Sequence, residues 1–493
     1  MSRGDGDHLS RSDGDDVSRS ELEPTSRAMS LLSELVIALL AEFVDGLDNA
    51  AAARVELPDD LATVLGQPPP EQPTGLPALL DTVRQAADHA VETAGPRFFG
   101  YIPGGGLFVS ALAELLAQTL NRYTGLSDIA PGLVALEDGV LRWLCQLFGL
   151  PPGAGGLLTT GGSMATLSML VAARQDRLGD SVPLGIPRGA TVGSAPGTIY
   201  VSEQTNHCVR KAARIAGLAA AQVRTLPTTA ELRIDVDAAA AMIAADRAAG
   251  LRPFLLVATA GTTSAGVIDP LVELAALARR HEMWCHVDAC YGGFFQLTER
   301  GRQRLAGIEQ ADSISLDPHK SLFLPYGTGV LLVRKISALA AAHTDDADYL
   351  PDLHGGALPD FAHLGAELTR GNRGLRLWLP LHLHGVQAFR AALDEKLDLA
   401  HWAHTELSAD DRLEVPYPCE LSTVLFRLRG SNTRDGDNEA FLRRINATNR
   451  VFLSGTRLDG RLTLRLCVLS HRTHARHVHE AVSIIREFVE SIP

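Results

Sequence analysis

The sequence is short of cysteine, of aromatic residues and of cations, and it has no long apolar run. Six cysteines in 493 residues (Cys145, Cys208, Cys285, Cys290, Cys419 and Cys467) are too few and too scattered for a disulfide framework. A reducing compartment, the cytoplasm, is the expectation. Lys and Arg number 45 against 58 Asp and Glu, a formal charge of −13, which works against any binding that depends on covering phosphates with cations. Nucleic acid is not an expected partner. The most apolar early run, residues 31–43, is broken by Glu34 and Glu42 and is too short to cross a bilayer, so an amphipathic helix is expected and no membrane partner. Residues 1–28, rich in Ser, Gly, Asp and Arg, lack the apolar stretch of a signal peptide and read as a disordered tail. Metal motifs are missing too, with neither HExxH nor a CxxC pair. His281, Cys285, His286 and Cys290 crowd together, but strand alternation sends Cys285 and His286 to opposite faces, and no metal is expected.

What is present is ordinary globular composition, 46% hydrophobic and 21% charged, in a chain long enough for two or three packed units. Residues 29–96 form a helical N-terminal segment, interrupted by the Pro-rich QPPPEQPTGLP at 67–77. RFFGYIPGGG at 97–106 sets aromatic residues beside glycines, and a helix pattern follows over 107–120. Short apolar runs at 156–159, 198–202, 254–258, 284–288, 313–316 and 329–333 then alternate with helical stretches such as 236–248 and 270–281. That alternation predicts an α/β unit with a mainly parallel sheet, whose ligands sit at the carboxyl ends of the strands. From about residue 381 the order changes to a long helix, apolar runs at 423–428 and 462–468, and a closing helix over 473–492. The expected organisation is a tail (1–28), the helical segment (29–96), a large domain (97–380) and a small C-terminal α+β domain (381–493).

Five segments carry chemistry. LLTTGGSMATLSMLVAA at 157–173 reads as strand, turn and helix, whose free amides and dipole would hold an anion at Gly162 and Ser163. No lysine follows those glycines, so this is not a P-loop, and their spacing is not that of the dinucleotide fingerprint. His207 falls at a strand-to-helix junction, where a structural histidine is the competing reading. ATAGTTSAGVIDP at 258–270 could lend the hydroxyl of Thr262. WCHVDACYGG at 284–293 ends an apolar strand on Asp288, a carboxylate that needs a cationic partner or several donors to stay ionised. ADSISLDPHKSLFL at 311–324 places Lys320 between apolar runs, where desolvation is expected to lower its pKa toward a nucleophilic amine.

Taken in order, these residues resemble the group II pyridoxal-phosphate-dependent amino acid decarboxylases, the family of aromatic L-amino acid and glutamate decarboxylases, over about 97–468. The triplet Pro318, His319, Lys320 and the upstream HVDACYGG carry the resemblance. It implies a fold-type I, aspartate aminotransferase-like α/β enzyme that uses pyridoxal 5'-phosphate, works as a homodimer with shared active sites, and converts an L-amino acid to its amine and carbon dioxide. It further implies that Lys320 binds the cofactor aldehyde, that Asp288 pairs with the pyridine nitrogen and that His207 stacks on the ring. Gly162 and Ser163 hold the phosphate on this reading, Thr262 joins the ring-side network, and His319 is part of the cofactor set. Tyr349, on the loop DDADYLPDLHGG at 345–356, sits where the family carries its proton-donating tyrosine. Asp317 replaces the more usual asparagine and is left out of the phosphate set. Arg370 and Arg373, in a stretch that departs from the family's form, are given no catalytic role. Tyr101, Pro103, Gly104 and Tyr123 are candidate walls of the substrate pocket, leaning toward an aromatic substrate, although Gly104 stands where aromatic decarboxylases tend to carry a hydroxyl. An aldehyde synthase, an acidic or diamino acid decarboxylase, and an inactive cofactor-binding homologue are the alternatives.

Overall fold

The computed structural model describes residues 22–179, 196–344, 357–430 and 435–490. It divides into two compact units, residues 1–92 and 93–493. In the first unit three helices, Ser26–Gly46, Asp59–Leu65 and Leu76–Asp88, are joined by extended segments. The first helix starts inside the stretch expected to be tail, because the Thr25 hydroxyl accepts a hydrogen bond from the Ala28 N–H and caps it. The Pro-rich break falls between the second and third helices, with Pro77 in the third's first turn, where a missing N–H costs nothing. None of the residues of Ser26–Gly46 is buried.

The second unit is built on a seven-stranded sheet of β1 (Gly155–Thr159), β2 (Gly197–Ser202), β3 (Val223–Leu226), β4 (Arg252–Thr259), β5 (Trp284–Asp288), β6 (Ser313–Leu316) and β7 (Gly329–Val333). Their order across the sheet is β1-β7-β6-β5-β4-β2-β3, and every strand runs parallel to the others except β7, which is antiparallel to both of its neighbours. Strands β2, β5 and β7 are buried along their whole length, which is why they read as short continuous apolar runs. The short β3 is the strand that the apolar-run reading misses: VRTL is only partly buried and carries a charge.

A second, four-stranded antiparallel sheet of β8 (Leu413–Glu414), β9 (Thr423–Leu428), β10 (Ser454–Leu458) and β11 (Arg461–Cys467), in the order β10-β11-β9-β8, has its own apolar core with helix Ala475–Glu490. Helix Gly374–Ser408 packs against both sheets' elements and spans residue 381, the boundary expected between large and small domains; it breaks at Gly385, which has a φ of 73°. Among the described residues no helix is long and apolar enough to cross a membrane.

Candidate active site

Because β1, β2, β4, β5 and β6 run in one direction, the turns after them meet at one edge of the sheet, and a cavity of about 340 Å³ opens there. That volume suits a small organic ligand. Each of the five chemistry-bearing segments contributes to its wall: Gly162 and Ser163 after β1, His207 after β2, Gly261 and Thr263 after β4, Asp288 and Cys290 at the end of β5, and Asp317, His319 and Lys320 after β6. The segments are as much as about 160 residues apart in sequence, and parallel crossovers bring them to the same end.

Lys320 is partly buried, and its Nζ lies 3.0 Å from Asp317 Oδ2. Burial pushes the ammonium's pKa down, as the sequence suggests, but the carboxylates of Asp317 and Asp288 outweigh it and leave the pKa above its ordinary value. The expectation of a lowered pKa is therefore corrected: the lysine is paired with Asp317, which lies outside the expected cofactor set. Asp317 is 4% exposed, and its other oxygen accepts the Gly162 N–H at 2.7 Å. That amide points to Asp317 instead of offering itself to a ligand, so of the two expected anion-holding residues Ser163, exposed in the first turn of helix Gly162–Leu178, keeps that position.

His207 precedes helix Cys208–Ile215, makes no side-chain capping bond to it, and is exposed on the cavity wall. Its loop is tied to the β4 turn by Asn206, whose Nδ2 donates to Thr263 Oγ1 at 3.0 Å and whose Oδ1 accepts the Cys208 N–H at 2.9 Å. Thr262 does not line the cavity: it is buried, and its hydroxyl accepts the Val267 N–H to hold the turn, leaving the next residue, Thr263, on the wall. His319 donates from Nδ1 to the Thr328 carbonyl at 2.7 Å, with Nε2 3.6 Å from Asp317. Asp288 is 5% exposed, and its Oδ1 accepts from the Cys290 N–H and the Ser315 hydroxyl. Burial raises the Cys290 thiol well above its ordinary pKa, so it is a thiol and not a thiolate.

The four residues expected to wall a substrate pocket do not line this cavity. Tyr101 is exposed, and its carbonyl accepts from Arg465. Pro103 is buried, and Gly104 lies so close to the helix Pro318–Ser321 that a Cβ there would stand 2.0 Å from the His319 carbonyl oxygen. Tyr123 donates its hydroxyl to the Leu368 carbonyl. Tyr349 lies outside the described residues. Arg370 and Arg373 are structural: Arg370 is buried against Glu137 at 2.6 Å, and Arg373 pairs with Glu367 at 2.6 Å. Asn206, Thr263, Cys290 and Asp317 are among the wall residues that the expected site lacks; each is within three residues of one it includes, so adjacency was the available signal.

An amine, a buried carboxylate, an imidazole and the first turn of a 17-residue helix thus face one small cavity. Such a donor set suits a ligand with an aldehyde, a basic ring nitrogen, a flat face and a phosphate, respectively. Comparison with known proteins agrees. Residues 58–429 match the family described as "Pyridoxal-dependent decarboxylase conserved domain". An aromatic-L-amino-acid decarboxylase of Bacillus atrophaeus is 32% identical over 404 residues, covering 80% of this chain and 82% of the relative. The structure of Oryza sativa TDC with PLP and tryptamine superposes with a TM-score of 0.89 at 26% identity, covering 95% of this chain and 99% of that one. That of Rhodiola rosea 4-hydroxyphenylacetaldehyde synthase gives 0.86 at 25% identity, with coverage of 95% and 99%.

Proposed function

This chain belongs to the pyridoxal-dependent decarboxylase family, with pyridoxal phosphate as its cofactor, and on that premise we propose that it removes the carboxylate of an aromatic L-amino acid and releases the amine. The observation that carries the site assignment is the convergence of Lys320, Asp288, His207 and Ser163 on one cavity from four separate strand ends. The bound cofactor supplies an electron sink for the electron pair left when carbon dioxide departs. Lys320 is the amine that would hold the cofactor aldehyde. Asp288 keeps a proton on the pyridine nitrogen, because a buried carboxylate favours a cation beside it. His207, on the cavity wall, would support the cofactor's flat face and help orient the substrate against it. Ser163 and the N-terminal turn of its helix bind the phosphate.

Asp317 has a further part in this reading. Asp317 holds Lys320 as an ammonium and is itself held in place by the Gly162 amide. Tyr349 is proposed as the acid that protonates the substrate carbon. A homodimer with shared active sites, in which one subunit's Tyr349 serves the other's Lys320, completes the proposal; the apolar residues Leu31, Leu35 and Phe43, exposed along the first helix, support a second copy as their cover.

The second reading, an aldehyde synthase, is favoured by the likeness to the Rhodiola rosea enzyme. Both are tested by incubating the protein and pyridoxal phosphate with L-tryptophan, L-tyrosine, L-phenylalanine, L-glutamate and L-2,4-diaminobutyrate and identifying the products by mass spectrometry. An aromatic amine with carbon dioxide is expected. Aldehyde with ammonia would move the chain to the second reading, and turnover of glutamate or diaminobutyrate alone would overturn the aromatic assignment.

A further inference from the structure

Alternation along β5 puts Trp284, His286 and Asp288 on one face, and alternation along β6 puts Ser313 and Ser315 there as well. The parallel register sets His286 opposite Ser313 and Asp288 opposite Ser315. All five are buried, and their side chains are joined end to end. Trp284 Nε1 is 2.8 Å from Ser313 Oγ, Ser313 Oγ is 2.8 Å from His286 Nδ1, His286 Nε2 is 3.2 Å from Ser315 Oγ, and Ser315 Oγ is 3.3 Å from Asp288 Oδ1.

The carboxylate end fixes the direction of the bonds at Ser315, and a neutral ring at His286 fixes the rest. An indole N–H can only donate, so Ser313 accepts from Trp284 and has its single hydroxyl proton left to give to His286 Nδ1. An ionised carboxylate can only accept, so Ser315 spends its proton on Asp288 and must accept from His286. His286 therefore carries a proton on Nε2, and in the neutral ring Nδ1 is bare and accepts from Ser313. Burial also works against a charged ring there and pushes His286 down to about 4. The second lone pair of Ser315 is occupied too, since the Cys290 thiol lies 3.5 Å from it. Nothing on the wall of the cavity requires such a construction: β5 and β6 would pair as well with apolar side chains on that face, as they do with Val287 and Ile314 on the other.

We propose that Trp284, Ser313, His286 and Ser315 form a one-way hydrogen-bond chain that ends on Asp288 and holds its carboxylate ionised against the pyridine nitrogen of the bound cofactor. The proposal rests on the reading of Asp288 as that nitrogen's partner. Four aligned donors polarise one another and stabilise the charge at the accepting end. An ionised Asp288 keeps the shared proton on the ring nitrogen, and that proton makes the ring an effective electron sink. His286 and Ser315 are positioning residues, acting through Asp288 and touching no substrate.

The first measurement uses the protein without cofactor. Nitrogen-15 NMR of histidine-labelled protein, with the His286 signal identified by its absence in His286→Gln, is expected to show the proton on Nε2 and bare Nδ1 from about pH 6 to 8. A proton on Nδ1 would overturn the chain's direction. The second uses nitrogen-15-labelled pyridoxal phosphate bound to the protein. In wild type the ring nitrogen is expected at its protonated shift. In Ser315→Ala it should move toward the unprotonated shift, and the cofactor's Kd should rise about three- to tenfold. Ser315→Thr, which keeps the hydroxyl, should restore both, and Trp284→Phe should give mixed His286 tautomers. A wild-type nitrogen shift in Ser315→Ala would sink the proposal while leaving the site assignment standing. If Asp288→Asn also keeps the wild-type shift, Asp288 is not the nitrogen's partner, and the underlying reading falls with it.

Discussion

At the scale of single residues, the site is governed by which charges burial tolerates. Asp317 shows this most clearly: in isolation it looks hostile to an anionic ligand, yet one of its oxygens is taken by the Gly162 amide and the other by Lys320. His286 makes the same point for a base. Because its folded pKa is pushed down by burial to about 4, from an ordinary 6.5, the unfolded chain binds a proton between those values that the folded chain does not. Its contribution to stability is therefore complete above 6.5 and is lost as the pH falls toward 4, by roughly 3 kcal/mol at most. His471, pushed down to about 3 by burial, acts in the same sense. Asp269, pushed up to about 6 by burial, acts in the opposite sense, since its folded carboxyl takes up a proton first. The expected outcome is that the urea midpoint of the cofactor-free protein falls from about pH 6.5 to 4.5, and falls less steeply in His286→Gln. Equal slopes would mean that His286 is charged in the fold.

At the scale of elements, close backbone approach decides where the lysine stands. Gly104 lies against helix Pro318–Ser321, and Leu107 donates its N–H to the Phe323 carbonyl just beyond that helix. A side chain at Gly104 would meet the His319 carbonyl oxygen. Gly104→Ser is therefore expected to displace the Lys320 turn. It should cost about 1–3 kcal/mol of stability and raise the cofactor's Kd roughly tenfold or more, read by denaturation and by fluorescence titration. An affinity within about twofold of wild type would show that the turn yields cheaply. The aromatic stretch Phe98, Phe99 and Tyr101 was legible as special, but its role was not. Phe98 stacks on Phe452 with ring centroids 5.7 Å apart and Phe99 is wholly buried, so the aromatics join this segment to the second sheet's side of the unit instead of lining the cavity.

At the scale of the whole molecule, the proposed homodimer builds each active site from two chains. If one subunit's Tyr349 serves the other's Lys320, mixing inactive Lys320→Ala and Tyr349→Phe proteins under conditions of subunit exchange should restore roughly a quarter of wild-type amine formation. Half of the dimers are then mixed, and each has one intact site of two. No recovery, with exchange verified by a mass tag, would mean that each subunit supplies its own tyrosine.

The sequence by itself determined the α/β class, six of the seven strands of the main sheet and the order of the chemistry-bearing turns, because each is written locally. A buried parallel strand is a short apolar run, and a charged or glycine-rich turn marks its end. It also determined that Cys285 and His286 point to opposite faces, since a strand's period is two. Tertiary structure alone decided the partners of the site residues. Asp317 reaches Gly162 across 155 residues, Ser315 stands opposite Asp288 only through the β5–β6 register, and Thr263 instead of Thr262 meets the cavity because the turn spends the Thr262 hydroxyl on Val267. Periodicity fixes which way a side chain points; packing and register between distant segments fix what it meets, and the charge state of a buried group follows from the second.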